Sequence, residues 1–177
     1  MPVIDPRRTT LLVIDFQDRL MPAIEAGEVL VENARRLLAA AETLDIPVVV
    51  TEQNAKGLGA TVAALPIDRA RLVPKMTFDA VRAPGFLDGI PEDHALVVAG
   101  CEAHVCVCQT VLALRATGRT VHVVRDAVGS RKAESKETAL ARMARHGADV
   151  VTTEMVVFEW LETAEHPRFR EMVRLIK

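Results

Sequence analysis

The chemically reactive residues of this chain are densest in the stretch GCEAHVCVCQT, residues 100–110. This stretch contains all 3 cysteines of the 177-residue chain, Cys101, Cys106 and Cys108. Such a cluster is compatible with a metal site, a disulfide, a buried apolar patch, or one nucleophile beside two packing residues. The local spacing does not choose among these, so residues elsewhere in the chain have to decide.

Two further polar residues stand at the end of apolar runs, where a reactive group is useful. Asp15 follows the run LLVI, and Lys75 follows the sequence LVP. Each residue has an ordinary interpretation on its own: the aspartate as a turn or cap residue, the lysine as a surface charge, and Cys106 as a small core residue. Together they supply the carboxylate, the cation and the thiol that covalent acyl transfer needs.

A cysteine attacks a carbonyl carbon as a thiolate, and the ordinary thiol pKa of about 8.5 is too high for this at neutral pH. A helix N-terminus and a nearby ammonium both favour the thiolate form of Cys106. Asp15 is the candidate base that takes the thiol proton and later passes it to the leaving amine, while Lys75 keeps this carboxylate ionised. Backbone N–H groups in the turn before the helix are candidates for an oxyanion hole.

The elements that must position these residues alternate along the chain. Apolar runs rich in Val, Ile and Leu are typical of parallel strands covered on both faces, and they occupy residues 9–15, 46–52, 94–100, 119–127 and 148–153. Pro74 limits the weaker candidate, 70–75, to a short or edge strand. Helical patterns occupy 27–45, 104–117 and 133–147.

This alternation predicts one α/β domain over residues 1–177, built on a doubly wound sheet. In such sheets ligands bind beyond the carboxyl ends of the strands. Residues 53–69 are the longest irregular stretch, and we expect them to form a surface loop near that end.

The composition argues against several function classes. The net charge is −2 with both signs interleaved, and aromatic residues make up only 3% of the chain. We therefore expect neither a nucleic-acid partner nor a membrane partner. The first residues lack the pattern of a signal peptide, and no apolar run approaches the roughly 20 residues that span a bilayer. With the odd number of cysteines, these features predict a cytoplasmic protein.

The motifs LLVIDFQ, LVPKMTFDA, VVAGCEAHVCV and TVHVVRDAVGSR, in this order, resemble those of the isochorismatase-like cysteine hydrolases. TEQNAKGLGATV and GCEAHVCV are most similar to the branch of isochorismatase domain-containing proteins. The resemblance implies a six-stranded, mainly parallel sheet with helices on both faces, and a triad of Asp15, Lys75 and Cys106. It also implies a cis peptide bond between Cys101 and Glu102, which would aim the N–H groups of Glu102 and Cys106 at the oxyanion. Assembly into a homo-oligomer is a further implication.

The presence of Cys106 argues for acyl transfer rather than the vinyl-ether chemistry of isochorismatases proper. The predicted function is therefore cysteine-dependent hydrolysis of a small, non-peptide amide through a thioester. Nicotinamidases of this superfamily carry an Asp-x-His metal motif after the second strand, where this chain has Thr51–Asn54 without histidine. We accordingly expect neither a metal nor another cofactor.

The substrate contacts are harder to place from sequence. Phe16 and Phe78 are candidates for the walls of the pocket, and Gln53 and Asn54 are candidates for hydrogen bonds to an amide. Core packing is an equally good interpretation of the two phenylalanines.

The two remaining cysteines have other predicted roles. Cys101 stands where the family usually has an apolar residue, so we expect it to pack. Cys108 lies two residues beyond Cys106 and so points to another face of the helix. A disulfide between Cys106 and Cys108 does not fit a continuous helix.

Two other function classes stay open. The GLG at 57–59 would suit a nucleotide-binding module, but it lacks a third glycine and does not open a helix directly after a strand. A catalytically idle or redox-sensing scaffold would keep the fold, with Cys106 as an oxidisable thiol. Its mark would be the loss of a triad residue, and none is lost. The expected partners are a small-molecule substrate and further copies of this chain.

Overall fold

A computed structural model describes residues 3–177 and contains six strands in one sheet. The strands are β1 (Thr9–Ile14), β2 (Val48–Gln53), β3 (Arg71–Lys75), β4 (Ala95–Cys101), β5 (Val121–Gly129) and β6 (Asp149–Val151). Their order is β3-β2-β1-β4-β5-β6, and every neighbouring pair is parallel. The predicted doubly wound parallel sheet is confirmed, with the proline-containing strand at one edge.

The helices are α1 (Gly27–Thr43), α2 (Ala55–Leu58), α3 (Cys108–Ala116), α4 (Ala133–Arg145), α5 (Thr153–Leu161) and α6 (Phe169–Ile176). The patterns at 27–45 and 133–147 correspond to α1 and α4, and their ends differ by at most a few residues. The pattern at 104–117 is divided, because residues Ala103–Val107 form a π-helical turn before α3 begins. The stretch predicted to be irregular, residues 53–69, contains the short helix α2.

Strand β1 shows how the sheet separates two layers of apolar side chains. Leu11 and Val13 point into a core that includes residues of α1, α5 and α6. Leu12 and Ile14 point to the opposite face, into a core that includes residues of α3 and α4. This alternation follows from the two-residue period of a strand, and it confirms that helices cover both faces. Among residues 3–177, no helix combines the length and the apolar character needed to cross a membrane.

The strand order places the switch point of the sheet at its centre. From β1 the chain proceeds outward to β2 and β3, and it then crosses to the other side to form β4, β5 and β6. The carboxyl ends of β1, β3 and β4 lead directly into Asp15, Lys75 and the turn that carries Cys106. The fold therefore brings residues that are far apart in sequence to one edge of the sheet.

Gly100 allows β4 to approach β1 and the π turn at that edge. A Cβ atom at this position would lie 2.7 Å from Ile14 Cβ and 2.8 Å from Val107 Cγ2. Both neighbours belong to the packed core, so neither can move aside cheaply. A side chain at residue 100 would push apart the two segments that hold the candidate site.

We predict that Gly100→Ala lowers the free energy of unfolding by about 1–3 kcal/mol, because the added methyl group overpacks the core. Gly57→Ala is the matched control, since the nearest atom to its added Cβ would be Nδ2 of Asn54, at 2.7 Å, on an exposed side chain. Urea denaturation should show little change for the control. An equal loss in both variants would contradict the close approach inferred at Gly100.

Candidate active site

Asp15 leaves β1 in a left-handed conformation and turns its carboxylate into the protein. Its φ is 55°, a region that aspartate tolerates better than most residues. Its N–H donates to the Thr51 carbonyl at 3.1 Å, which continues the pairing of β1 with β2. The side chain is fully buried and accepts hydrogen bonds from Lys75 Nζ at 2.7 Å and Thr51 Oγ1 at 2.7 Å.

Lys75 ends β3 and is as deeply buried as its partner. Besides Asp15, its ammonium donates to Gln53 Oε1 at 2.9 Å and to the Thr77 carbonyl at 3.3 Å. These contacts follow from the register, because Gln53 and Lys75 are direct neighbours across β2 and β3. A buried ion pair is costly to desolvate, and such additional hydrogen bonds offset part of that cost.

The charge balance makes Asp15 a suitable proton acceptor. Burial raises the pKa of Asp15 above its ordinary value, while Lys75, Thr51 and the thiol of Cys106 oppose this shift by stabilising the carboxylate. A raised pKa strengthens the carboxylate as a base, and the buried ammonium still favours its ionised form.

Cys106 lies in the π turn, with 5% of the residue exposed. The turn is marked by the hydrogen bond from Val107 N–H to the Glu102 carbonyl, at 3.3 Å. Burial, followed by the negative charge of Asp15, raises the pKa of the Cys106 thiol to about 12, although Lys75 opposes the shift. This direction is opposite to the one that a helix terminus and an ammonium alone would give. The resting thiol is therefore neutral at neutral pH.

The expected cis peptide bond between Cys101 and Glu102 is wrong. Every peptide bond among residues 3–177 is trans, the form that costs less for a residue other than proline. Glu102 has φ −65° and ψ 120°, an extended conformation, and the π turn begins at the next residue. Its carboxylate accepts a hydrogen bond from Arg131 Nε at 2.6 Å.

The other two cysteines are free and buried. Cys101 donates to Met21 Sδ at 3.5 Å in the core beside α1, and burial raises the pKa of its thiol. Burial also raises the pKa of Cys108, which packs in the opposite core. Among residues 3–177, no group of three or more His, Cys, Asp or Glu side chains is arranged to hold a metal ion.

The candidate substrate-binding residues are distributed over different environments. Phe16 is fully buried in the core beside α1, whereas Phe78 is 53% exposed. Gln53 is buried and bonded at both ends of its amide, to Lys75 and to the Met76 carbonyl at 2.9 Å. Asn54 is exposed and helps to line a cavity of about 580 Å³ beside the end of β3. Of these four residues, Gln53 is the one whose side chain hydrogen-bonds a residue of the predicted triad.

Two residues of this network escaped the sequence analysis. Thr51 donates a hydrogen bond to Asp15 from near the end of an apolar run. Threonine is common in strands, so its presence there gives no signal of this role. Gln17 is fully buried and donates Nε2 to the carbonyls of Gln53, at 3.1 Å, and Gly59, at 2.6 Å. The only sequence signal for Gln17 was a polar residue shortly after the first apolar run, because its burial is visible only in the structure.

Comparisons with known proteins find relatives over most of the chain. Residues 9–155 match the model of the isochorismatase domain. The chain is 41% identical to "Isochorismatase domain-containing protein 1" of Salmo salar over 175 residues, which are 97% of this chain. The chain spans 62% of the length of that relative.

Solved structures share the fold. The structure of MAR1 ribonuclease from Caenorhabditis elegans has a TM-score of 0.92 and 35% identity, covering 98% of this chain and 92% of that one. The YcaC gene product of Escherichia coli, described as an octameric hydrolase of unknown specificity, has a TM-score of 0.87 and 21% identity. That likeness covers 98% of this chain and 96% of the other.

Lys75→Met is predicted to lower the free energy of unfolding by about 3–5 kcal/mol at neutral pH, because it leaves Asp15 buried without its counter-ion. The loss of the ammonium raises the pKa of Asp15 further, so the folded variant retains a proton that the unfolded chain releases above about pH 4. The variant is therefore most stable in acid and becomes less stable as the pH rises through the folded-state pKa.

Urea denaturation at about pH 5 and about pH 8 measures this slope. Lys56→Met is the control, since Lys56 is exposed and joins no ion pair among residues 3–177. A Lys75→Met variant whose deficit is the same at both pH values would show that Asp15 does not take up the proton.

Proposed function

Because the chain belongs to the isochorismatase family, we propose that it is a cysteine-dependent hydrolase of a small, non-peptide amide. The observation that carries the proposal is the buried Asp15 carboxylate, which bonds Lys75 at 2.7 Å and lies near enough to the Cys106 thiol for each group to shift the pKa of the other. The proposed nucleophile, the base and the group that orients the base thus lie in one buried neighbourhood, as covalent catalysis requires.

The first half of the reaction forms a thioester. Asp15 takes the proton of the Cys106 thiol as the sulfur attacks the substrate carbonyl carbon, which gives a tetrahedral oxyanion. The C–N bond then breaks, and the proton held by Asp15 moves to the leaving amine. The products of this half are a free amine and an acyl group on Cys106.

The second half regenerates the enzyme. Asp15, ionised again, takes a proton from water while the water oxygen attacks the thioester carbonyl. The C–S bond breaks, the carboxylic acid leaves, and the proton returns from Asp15 to the sulfur. Lys75 transfers no proton in this cycle, and its ammonium holds Asp15 in place and balances its charge.

The backbone N–H groups of Glu102 and Cys106 are the proposed oxyanion donors. Glu102 immediately precedes the π turn, and Cys106, which also carries the proposed nucleophile, lies within it. π turns recur at functional sites because they redirect single residues within a helix. With the trans peptide bond at Glu102, the donors depend on the turn geometry rather than on a strained bond.

The walls of the site suit a small neutral substrate. The triad side chains are 5% exposed or less, so a bulky substrate has no direct access to the sulfur. Asn54 and Phe78 are exposed residues that follow β2 and β3, and they are the proposed outer substrate contacts. Phe16 would act only from the core, by supporting the segment that carries Asp15.

RNA hydrolysis is a competing activity, since the Caenorhabditis elegans protein is described as a ribonuclease. The net charge of −2 does not favour a polyanionic substrate. A buried thiol with a raised pKa is also poorly suited to act on a phosphodiester. Because of that relative, we nevertheless include RNA as a substrate to test beside the amides.

The proposed working form is a homo-oligomer in the cytoplasm. Met76 and Phe78 at the end of β3 are 73% and 53% exposed, and Met155 and Phe158 on α5 are 45% and 42% exposed. Exposed apolar residues in such groups favour contact with another subunit. The three free cysteines suit a reducing compartment.

Cys106→Ala should abolish turnover and preserve the fold, because alanine removes only the sulfur from a helical position. The measurement is amine or ammonia release from a panel of small primary and secondary amides, with RNA cleavage followed in parallel. Cys108→Ala is the matched control, which should lose some stability and retain turnover. Hydrolysis that survives in Cys106→Ala would contradict the thioester mechanism. A wild-type protein inactive on every amide would favour the scaffold alternative.

Asp15→Asn should lower turnover by roughly 10² to 10⁴, the contribution of a general base. Iodoacetamide alkylation of Cys106 tests the proton transfer without a known substrate. In the wild type, the alkylation rate should rise with pH until Asp15 is ionised and then remain level, because the thiol proton moves to Asp15. In Asp15→Asn this plateau should be absent, and the rate should follow the titration of a simple thiol. A plateau that persists would exclude Asp15 as the base.

A further inference from the structure

Lys75 has a partner for each of its donors, and one of these partners is a side-chain amide. An ammonium has three N–H groups, and Lys75 directs them to Asp15 Oδ2, Gln53 Oε1 and the Thr77 carbonyl, at 2.7, 2.9 and 3.3 Å. Within residues 3–177, Asp15 is the only anionic side chain that bonds this ammonium. The other two acceptors are neutral.

Gln53 is held so that its oxygen faces Lys75. Its Nε2 donates to the Met76 carbonyl at 2.9 Å, which fixes the orientation of the amide. Its own N–H donates to Gln17 Oε1 at 2.8 Å, and its carbonyl accepts from Gln17 Nε2 at 3.1 Å. Both the backbone and the side chain of Gln53 are thus fixed before any ligand binds.

We propose that Gln53 is a positioning residue, whose neutral amide holds the Lys75 ammonium against Asp15 without competing for its charge. This inference rests on the proposed function, in which Asp15 is the base. It replaces the expected role of Gln53 as a direct substrate contact, because each end of its amide already has a partner in the protein.

The neutrality of Gln53 matters because of where it lies. A carboxylate in its place would share the ammonium with Asp15 and bring a second negative charge to the buried site. Both effects disfavour ionisation of Asp15, so the carboxylate would hold its proton to a higher pH. An apolar side chain of similar length would instead leave one ammonium N–H unpaired and weaken the ion pair.

The test uses Gln53→Glu and Gln53→Met in the full chain, with Gln109→Glu as the matched control. Gln109 undergoes the same amide-to-carboxylate change, but it is an exposed residue of α3, the helix that continues from the π turn. The probe is iodoacetamide, and the alkylation rate of Cys106 is followed by peptide mass mapping between about pH 5 and pH 10. Thermal unfolding of each variant reports whether it folds.

We expect the acidic limb of the profile, set by protonation of Asp15, to move to higher pH by about one unit in Gln53→Glu, which lowers the rate roughly tenfold on that limb. Gln53→Met should shift the limb in the same direction. Gln109→Glu should leave it in place. If Gln53 had a purely structural role, its variants would lose stability but keep the acidic limb at the wild-type pH.

An unchanged acidic limb in the folded Gln53 variants would overturn the inference, as would an equal shift in Gln109→Glu. If Gln53→Glu does not fold, Gln53→Met decides by the same criterion. The proposed function fails separately, when the plateau of the profile persists in Asp15→Asn. If the plateau depends on Asp15 but the acidic limb does not move in the Gln53 variants, only the positioning role of Gln53 is contradicted.

Discussion

The buried ion pair between Asp15 and Lys75 is the interaction on which the arrangement of the site depends. Both side chains are fully buried and joined at 2.7 Å, so neither charge has water to stabilise it. The pair is tolerable only because Thr51, Gln53 and Thr77 satisfy the remaining donors and acceptors. Together with Asp15 and Lys75, these groups lie on or just after β1, β2 and β3, which means that the pair requires a correct register of three strands.

The same burial determines how the proposed nucleophile, Cys106, would be activated. The thiol of Cys106 has a pKa of about 12, so it is neutral until a proton acceptor intervenes. A thiolate derived from such a basic thiol is intrinsically more nucleophilic than one of low pKa, although far less of it is present. Activation then depends on Asp15 rather than on a standing thiolate. A neutral, 5% exposed thiol also reacts slowly with peroxide, which weighs against the redox-sensing alternative.

The strands were predictable because their chemistry is local. Runs such as 9–15 and 94–100 are apolar enough to be buried on both faces, and the alternation with helices then leads to a doubly wound sheet. The strand at 71–75 was the weakest prediction and lies at an edge, where a proline is tolerated. The π turn was not predictable, since a continuous apolar pattern does not reveal one inserted residue.

The site was only partly predictable from the sequence. Asp15, Lys75 and Cys106 stood out by residue type and by their place after strands, and the structure brings the three side chains together. The direction of the thiol pKa was not readable, because it depends on how deeply the sulfur is buried. The bonding of Gln53 also depends on the register of β2 with β3, which places it opposite Lys75, and no local pattern specifies that pairing.

This division indicates where substrate selection has to reside. The polar groups that hold the triad, Thr51 and Gln53, already bond within the protein, so they have little capacity to distinguish one substrate from another. The exposed segment after β3 is different, because Met76 and Phe78 are 73% and 53% exposed and Met76 lines a cavity of about 580 Å³. Its side chains can vary without disturbing strand register or the buried pair. In the proposed mechanism, the sheet therefore fixes the chemistry, and the loop that follows its edge strand selects the substrate.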